Sequence, residues 1–265
     1  MSRNKVIFTQ LLICDADHLI LPANAQCSLS APERLRLAQI ANPVPAKLFL
    51  LGRYLLRQLL APRLLLSPSQ IPISINNKGK PALVIPDKCP PSSLQPASLL
   101  PDESNPNWHF NISHTGSLLA LAISNQAPLG VDLESRQLSS TQIQRLARRY
   151  FSEDEQAWLA QYPESEHFLR LWTIKEAVLK AHGGGIANNL SAVHWQPYQD
   201  YAQFDEQHYQ LQHFLLQEDK DTSSRLTLAI QGAQAAPLEL LSVADLGLTL
   251  EISGDQPNIC VSQGI

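Results

Sequence analysis

Period-2 alternation of apolar and polar residues is the plainest signal in this chain. From Gly130 the order is Gly-Val-Asp-Leu-Glu, and a strand sends residues i and i+2 to one face. Asp132 and Glu134 therefore stand side by side, while Val131 and Leu133 turn away. Apolar runs and alternation predict further strands over 6–13, 108–113, 118–124, 209–216, 226–231 and 238–243. Ser113-His114-Thr115-Gly116 reads as a polar turn between two of them. Helical spacing predicts a short helix over 33–42, a break at Pro43 and Pro45, and a leucine-rich helix over 46–61. Thr141 to Tyr150 reads as a basic amphipathic helix, and Ser152-x-x-Glu155 fits the capping box of the next one. Glu166 to His182 is the clearest helix, stopped by Gly183-Gly184-Gly185. Asn76 to Pro81 is a turn by composition, and seven prolines from Pro81 to Pro106 predict an irregular surface loop.

Residues 119–124 (Leu-Ala-Leu-Ala-Ile-Ser) echo 226–231 (Leu-Thr-Leu-Ala-Ile-Gln), and Pro-Leu follows each at 128–129 and 237–238. The echo is compatible with two α+β halves of similar topology, residues 1–126 and 127–265.

Composition narrows the function classes. With 265 residues, 44% of them hydrophobic and 17% charged, the chain can bury a sizeable core. A net charge of −4 argues against a nucleic-acid binder, which usually carries a basic stripe. Cys14, Cys27, Cys89 and Cys260 are scattered without metal-ligand spacing, which suits reduced thiols in the cytoplasm. The first residues read as a strand rather than a signal peptide, and no window is apolar enough for a membrane span.

The candidate chemistry gathers on two elements. Two adjacent carboxylates raise one another's pKa unless a cation neutralises them, and hard oxygens suit Mg²⁺. On the helix over 166–182, Trp172, Glu176 and Lys180 lie four residues apart and share a face. Glu176 and Lys180 alone would be an ordinary i,i+4 pair. Beside Asp132 and Glu134 they supply a third hard oxygen and a cation, the equipment for a metal-bound diphosphate. Lys47, Arg53 and Arg57, on or beside the leucine-rich helix, read singly as a solvated face. His114 in a turn could bond only to backbone, and Glu155 could serve only its helix as a cap.

Taken together, five motifs resemble the 4′-phosphopantetheinyl transferases, in the monomeric, double-length form that activates peptide and polyketide synthetases. They are Gly79-Lys80-Pro81, Phe110-Asn111-Ile112-Ser113-His114-Thr115, Gly130 to Glu134, Phe151-Ser152-x-x-Glu155 and Trp172-x-x-Lys175-Glu176-Ala177-x-x-Lys180. Weaker similarity extends back through Pro32-Glu33-Arg34 and the stretch from Lys47 to Arg53. The resemblance implies two pseudo-twofold-related halves with the active site in the cleft between them. It implies transfer of the phosphopantetheine arm from coenzyme A to a serine of an apo acyl, peptidyl or polyketide carrier protein, releasing 3′,5′-ADP.

By position, the resemblance makes Asp132, Glu134 and Glu176 ligands of Mg²⁺, with Mn²⁺ as an alternative metal. Lys180 falls at the diphosphate, and Ser113 with His114 at coenzyme A phosphates. Lys80 and Pro81 border the adenosine end. Arg34, with Lys47 or Arg53, meets the 3′-phosphate. Glu155 is implied as a base for the carrier serine, with water on the metal as its competitor. One position departs from the pattern: Leu37 stands where a second lysine is expected. The basic helix 141–150, with Arg145, Arg148 and Arg149, and the neighbouring loop 137–140 form a candidate docking surface for an acidic carrier. A non-catalytic coenzyme A binder and a Mg²⁺-dependent diphosphate hydrolase are the competing classes.

Overall fold

The computed structural model describes residues 8–76, 79–84, 108–186, 189–217, 223–232, 237–246, 251–252 and 258–260. Two antiparallel-rich sheets form its two halves, and each is covered on its outer face by helices. In the first sheet the order is β12 (Leu238–Leu241), β1 (Thr9–Asp15), β6 (Leu118–Ser124), β5 (His109–Thr115). In the second it is β7 (Leu129–Glu134), β11 (Ser223–Gln231), β10 (Gln207–Gln217), β9 (Tyr201–Phe204), β8 (His194–Trp195), with β14 (Asn258–Cys260) also on β10. The echoing segments 119–124 and 226–231 thus lie on β6 of one sheet and β11 of the other. Two short pairs complete the topology: β2 (Leu19–Ile20) with β13 (Glu251–Ile252), and β3 (Ile73–Ile75) with β4 (Pro81–Leu83). Chain from beyond residue 126 returns to the first half, because β12 pairs in parallel with β1 and β13 pairs with β2.

Alternation sorts each strand between two cores. Leu11 and Ile13 of β1, Leu118, Ala120 and Ala122 of β6, Val131 and Leu133 of β7, and Leu226 and Leu228 of β11 fill the space between the sheets. Leu12 and Cys14 face the other way, onto α2 (Pro43–Leu64) with Leu51, Leu55 and Leu59. Tyr209, Leu211 and Ala229 face α5 (Ser165–His182), which buries Phe168, Leu171, Ile174 and Val178 against them. The helices α3 (Ser140–Tyr150) and α4 (Glu153–Gln161) flank α5 and insert Ile143, Ala147, Trp158 and Leu159 into the same core.

Several expectations are corrected. Pro43 and Pro45 do not break a helix; they lie in the first turn of α2, where a missing N–H is harmless, and Asn42 caps it by accepting from Val44 N–H at 3.0 Å. The first helix, α1 (Ala31–Ala38), stops well before them. Ser113, His114 and Thr115 belong to β5, so the turn narrows to Gly116 and Ser117. Residues 76–81 do turn, between the two short strands β3 and β4: Asn76 Oδ1 accepts from Lys80 N–H at 2.9 Å, and Gly79 takes φ +82°. Cys89 and the prolines at 86–106 lie outside the described residues. Among the described residues no helix is long and apolar enough to cross a membrane.

Arg57 is not on a solvated face. It is fully buried, its Nη2 is 2.7 Å from Glu33 Oε2, and its Nη1 donates to the carbonyls of Pro68 (2.6 Å) and Ile71 (3.1 Å). Glu33 meanwhile closes the capping box of α1 at Ser30. Because α1 buries none of its own residues, this ion pair is what fastens it to α2. Removing one partner of a buried pair leaves an uncompensated charge. Glu33→Gln is therefore expected to lower unfolding free energy by about 3 kcal/mol, read as a reduced denaturant midpoint; an unchanged midpoint would contradict this role.

Candidate active site

The site forms where β7 meets both β5 and α5. Gly130 is required by the second contact: a Cβ there would lie 2.1 Å from the Ala177 carbonyl and 2.4 Å from Ala181 N. Only glycine lets the strand approach the helix so closely. Two residues on, Asp132 points at the same helix face, which carries Glu176 and Lys180. The contact with β5 is made by side chains rather than by a ladder. Val131 N–H donates to Asn111 Oδ1 at 2.9 Å, and Leu133 N–H to Ser113 Oγ at 3.3 Å. These N–H groups lie on the open edge of β7, away from β11, and would otherwise be unsatisfied.

Ser113 is the common member of two networks. Its hydroxyl accepts from Leu133 N–H, accepts from Lys180 Nζ at 3.1 Å, and donates to Asp132 Oδ1 at 3.2 Å. A hydroxyl has one donor and two acceptor sites, so all three are used. Lys180 Nζ is 2.5 Å from Asp132 Oδ1 and 3.8 Å from Glu176 Oε2. Glu134, the next residue on the Asp132 face, is held by Arg136 Nε at 3.0 Å, and the Arg136 guanidinium lies 5.1 Å from the centre of the Trp172 ring.

Electrostatics mark the cluster as short of positive charge. Burial, followed by Asp132, pushes the Glu176 carboxyl up to about 7, with Lys180 opposing and Glu134 adding to the rise. Burial also raises Glu134, against the pull of Arg136. Asp132 is 2% exposed, and its Oδ2 is buried without a hydrogen-bond partner. Hard oxygens, mutual repulsion and an unpaired buried oxygen together fit a divalent cation such as Mg²⁺. Among the described residues, however, no three His, Cys, Asp or Glu side chains already converge on one point. Lys180 stands between Asp132 and Glu176, and Glu134 is turned to Arg136. The three expected ligands are neighbours, not a closed cage.

The other expected residues are placed as follows. His114 is on the opposite face of β5 from Ser113, by the period of the strand. Burial, and then the charge of Lys180, lowers its imidazole pKa. Lys80 reaches from the 76–81 turn to the last turn of α5, donating to the carbonyls of Lys180 and Ala181 (3.1 Å to the latter). Burial brings its pKa down to about 8. It caps the helix that carries the site, a role the sequence did not suggest. Pro81 begins β4 opposite Ile75. Arg34 is exposed on α1 and donates to the Leu29 carbonyl at 2.5 Å. Lys47 lies 4.0 Å from Asp17, and Arg53 3.5 Å from Glu33. These basic residues are engaged locally, and Leu37 adds no charge.

Glu155 is not brought to the cluster. Its carboxylate is fully buried, 2.9 Å from Lys175 Nζ, and accepts from Ser152 N–H at 2.8 Å in the capping box. Lys175 also donates to the carbonyls of Leu190 (3.1 Å) and Val193 (2.7 Å). The Lys175–Glu176 step in the motif therefore splits: Glu176 faces the site and Lys175 anchors the core. Arg136 was missed, although its i+2 spacing from Glu134 was a usable signal.

With this geometry in view, the comparisons with known proteins agree on one family. A model of the 4′-phosphopantetheinyl transferase N-terminal region matches residues 23–126, and the 4′-phosphopantetheinyl transferase superfamily model matches 128–235. The chain is 31% identical to the 4′-phosphopantetheinyl transferase Sfp of Bacillus subtilis, over 65% of this chain and 68% of that one. It is 32% identical to the 4′-phosphopantetheinyl transferase HetI of Nostoc, over 60% and 62% of the respective chains. Against the mouse L-aminoadipate-semialdehyde dehydrogenase-phosphopantetheinyl transferase it is 28% identical, over 64% and 53%. The chain belongs to the 4′-phosphopantetheinyl transferase superfamily, in its Sfp-like, two-half form, and is a transferase of that type.

The Glu155–Lys175 pair gives a test that separates scaffold from chemistry. Glu155→Gln can keep the cap but strands a buried ammonium, an expected loss of about 3–5 kcal/mol. The double variant with Lys175→Met is expected to recover most of it in chemical denaturation. A midpoint unchanged by the single variant would show that the pair is not structural.

Proposed function

We propose that the protein transfers the 4′-phosphopantetheine arm of coenzyme A to a serine hydroxyl of an apo carrier protein, with a divalent metal at the carboxylate cluster. The observation that supports this most directly is the Asp132–Lys180–Ser113 triangle, with Glu176 beside it and a buried, unpaired Asp132 Oδ2 at its edge. Asp132, Glu134 and Glu176 are the residues to hold Mg²⁺, or Mn²⁺. When bound, that ion supplies charge neutralisation to the diphosphate.

In the reaction, the carrier serine oxygen attacks the β-phosphorus of coenzyme A in line. A new oxygen–phosphorus bond joins serine to phosphopantetheine, the diphosphate bond breaks, and its electrons leave on 3′,5′-ADP. Catalysis of such transfers rests on positioning and charge stabilisation. Lys180 stabilises the charge that builds on the leaving phosphate, oriented by Ser113 and Asp132. His114 and the basic residues of α1 and α2, Arg34 and Lys47 first, are the candidates to contact the phosphates of coenzyme A. The turn at Lys80 and Pro81 borders the adenosine. Glu155, sealed in its ion pair, has no route to a substrate hydroxyl, and the serine proton leaves by way of the carboxylate cluster or solvent.

The carrier docks, in this reading, on α3 and the 137–140 loop. Arg145, Arg148 and Arg149 are exposed there, and a groove beside them is lined by Ile143, Ala147, Leu159, Ala160 and Pro163. Ser140, Gln144, Arg148 and Gln156 line the same groove, and this mixed surface beside exposed arginines suits an acidic helical carrier. The chain acts as a cytoplasmic monomer whose two halves build one site.

Intact-mass analysis of an apo acyl carrier protein with coenzyme A and Mg²⁺ is expected to show a phosphopantetheine adduct that EDTA abolishes. Asp132→Ala and Glu176→Ala should each lower turnover at least ~100-fold; near-normal turnover in either would refute the assignment. Reversing Arg145, Arg148 and Arg149 to Glu should raise the KM for carrier protein roughly tenfold and leave the KM for coenzyme A unchanged. A carrier KM that does not move would place docking elsewhere.

A further inference from the structure

Arg136 is absent from every motif of the family resemblance, yet it touches the site on two sides. Its Nε lies 3.0 Å from Glu134 Oε2, and its guanidinium lies 5.1 Å from the Trp172 ring centre, one turn before Glu176 on α5. Its backbone carbonyl accepts from Ser165 Oγ at 3.2 Å, which fixes the chain just beyond β7 to the start of α5. The Arg136 side chain is 43% exposed, whereas that of Glu134 is 18% exposed. The guanidinium can therefore leave the carboxylate into water, but the carboxylate cannot leave the site.

We propose that Arg136 is the resident counter-cation of Glu134, which an incoming divalent metal must displace, so that this residue sets how tightly the site holds its metal. The inference rests on the metal-binding reading of the carboxylate cluster given above. Glu134 Oε2 accepts from the guanidinium, and a metal would draw on the charge of the same carboxylate. Stacking on Trp172 favours the closed arrangement by restricting where the guanidinium goes, as face-on cation–ring contacts do. An ion pair this exposed is worth little, so it competes with the metal without excluding it. Lys180 differs. It is bonded to Asp132 and Ser113 within the cluster and is about half as exposed, at 20% against 43%.

The test is Mn²⁺ binding followed by electron paramagnetic resonance of the free ion, on the full chain, with coenzyme A first absent and then present. Arg136→Gln is expected to tighten the Mn²⁺ dissociation constant roughly three- to tenfold. The same change made in a Glu134→Gln background should have no effect, because the competition acts through that carboxylate. Arg149→Gln, on a nearby basic residue that bonds to no carboxylate of the cluster, is the control for a general charge effect and should leave the constant unchanged. If Arg136→Gln and the wild type bind Mn²⁺ equally, or if the effect persists in the Glu134→Gln background, the inference about Arg136 is wrong and the metal site stands. If neither protein binds Mn²⁺ in either condition, the metal reading itself fails.

Discussion

The structure depends on how the exposed edge of one strand is satisfied. The N–H groups of Val131 and Leu133 face away from β11, and no strand pairs with that side of β7 among the described residues. A buried, unpaired backbone donor costs about 1–3 kcal/mol. Asn111 and Ser113 of β5 supply the missing acceptors from their side chains. The two halves are thereby joined by a substitute for a ladder, short enough to hold the sheets in register and open enough to leave side chains between them. Ser113 then passes the constraint on: the hydroxyl that satisfies the edge also fixes Asp132 and Lys180.

Charge is distributed around that seam in two kinds of pair. Deep pairs hold the scaffold. Glu33 with Arg57 fastens α1, and Glu155 with Lys175 ties α4 to α5. Both acids close a capping box and neutralise a buried cation at once, so one carboxylate settles a helix start and a packing contact. The pairs at the seam are looser and unequal. Three carboxylates face one ammonium and one half-exposed guanidinium, so the negative charge there is only partly answered. The metal-bound polyanion proposed above would answer that excess of negative charge.

What could be read in advance followed locality. The strand of Asp132 and Glu134, the helix of Glu176 and Lys180 and its glycine stop all come from periods of two and four residues, and these survive folding. The five short motifs also placed the chain in its family. Local reading failed where a residue's partner is distant in sequence. Arg57 looked like one more surface arginine, and nothing near it in the chain announces Glu33. Glu155 carried a capping signal that the fold bears out, but its ion pair with Lys175 had no signal of its own. The ammonium of Lys80 reaches a helix end one hundred residues later, a contact that nothing near it in the chain announces. Pro43 and Pro45 were misread because a proline that ends one helix and a proline that starts the next look alike until the chain direction is known.

By itself, then, the sequence determined most of the longer elements, the α+β class, the family, and where along the chain the charged residues of its motifs fall, because each follows from short-range spacing. Tertiary structure decided which of those charges are free. Which cation answers each carboxylate depends on what folding brings within 4 Å of it. Asp132 and Glu176 meet a single lysine and a strand edge, Glu134 meets Arg136, and Glu155 meets Lys175. The contacts of Asp132 follow the close approach of β7 to α5 at Gly130 and the side-chain bridge from β5, while that of Glu155 follows the packing of α4 on α5; none of these has a local signature in the chain.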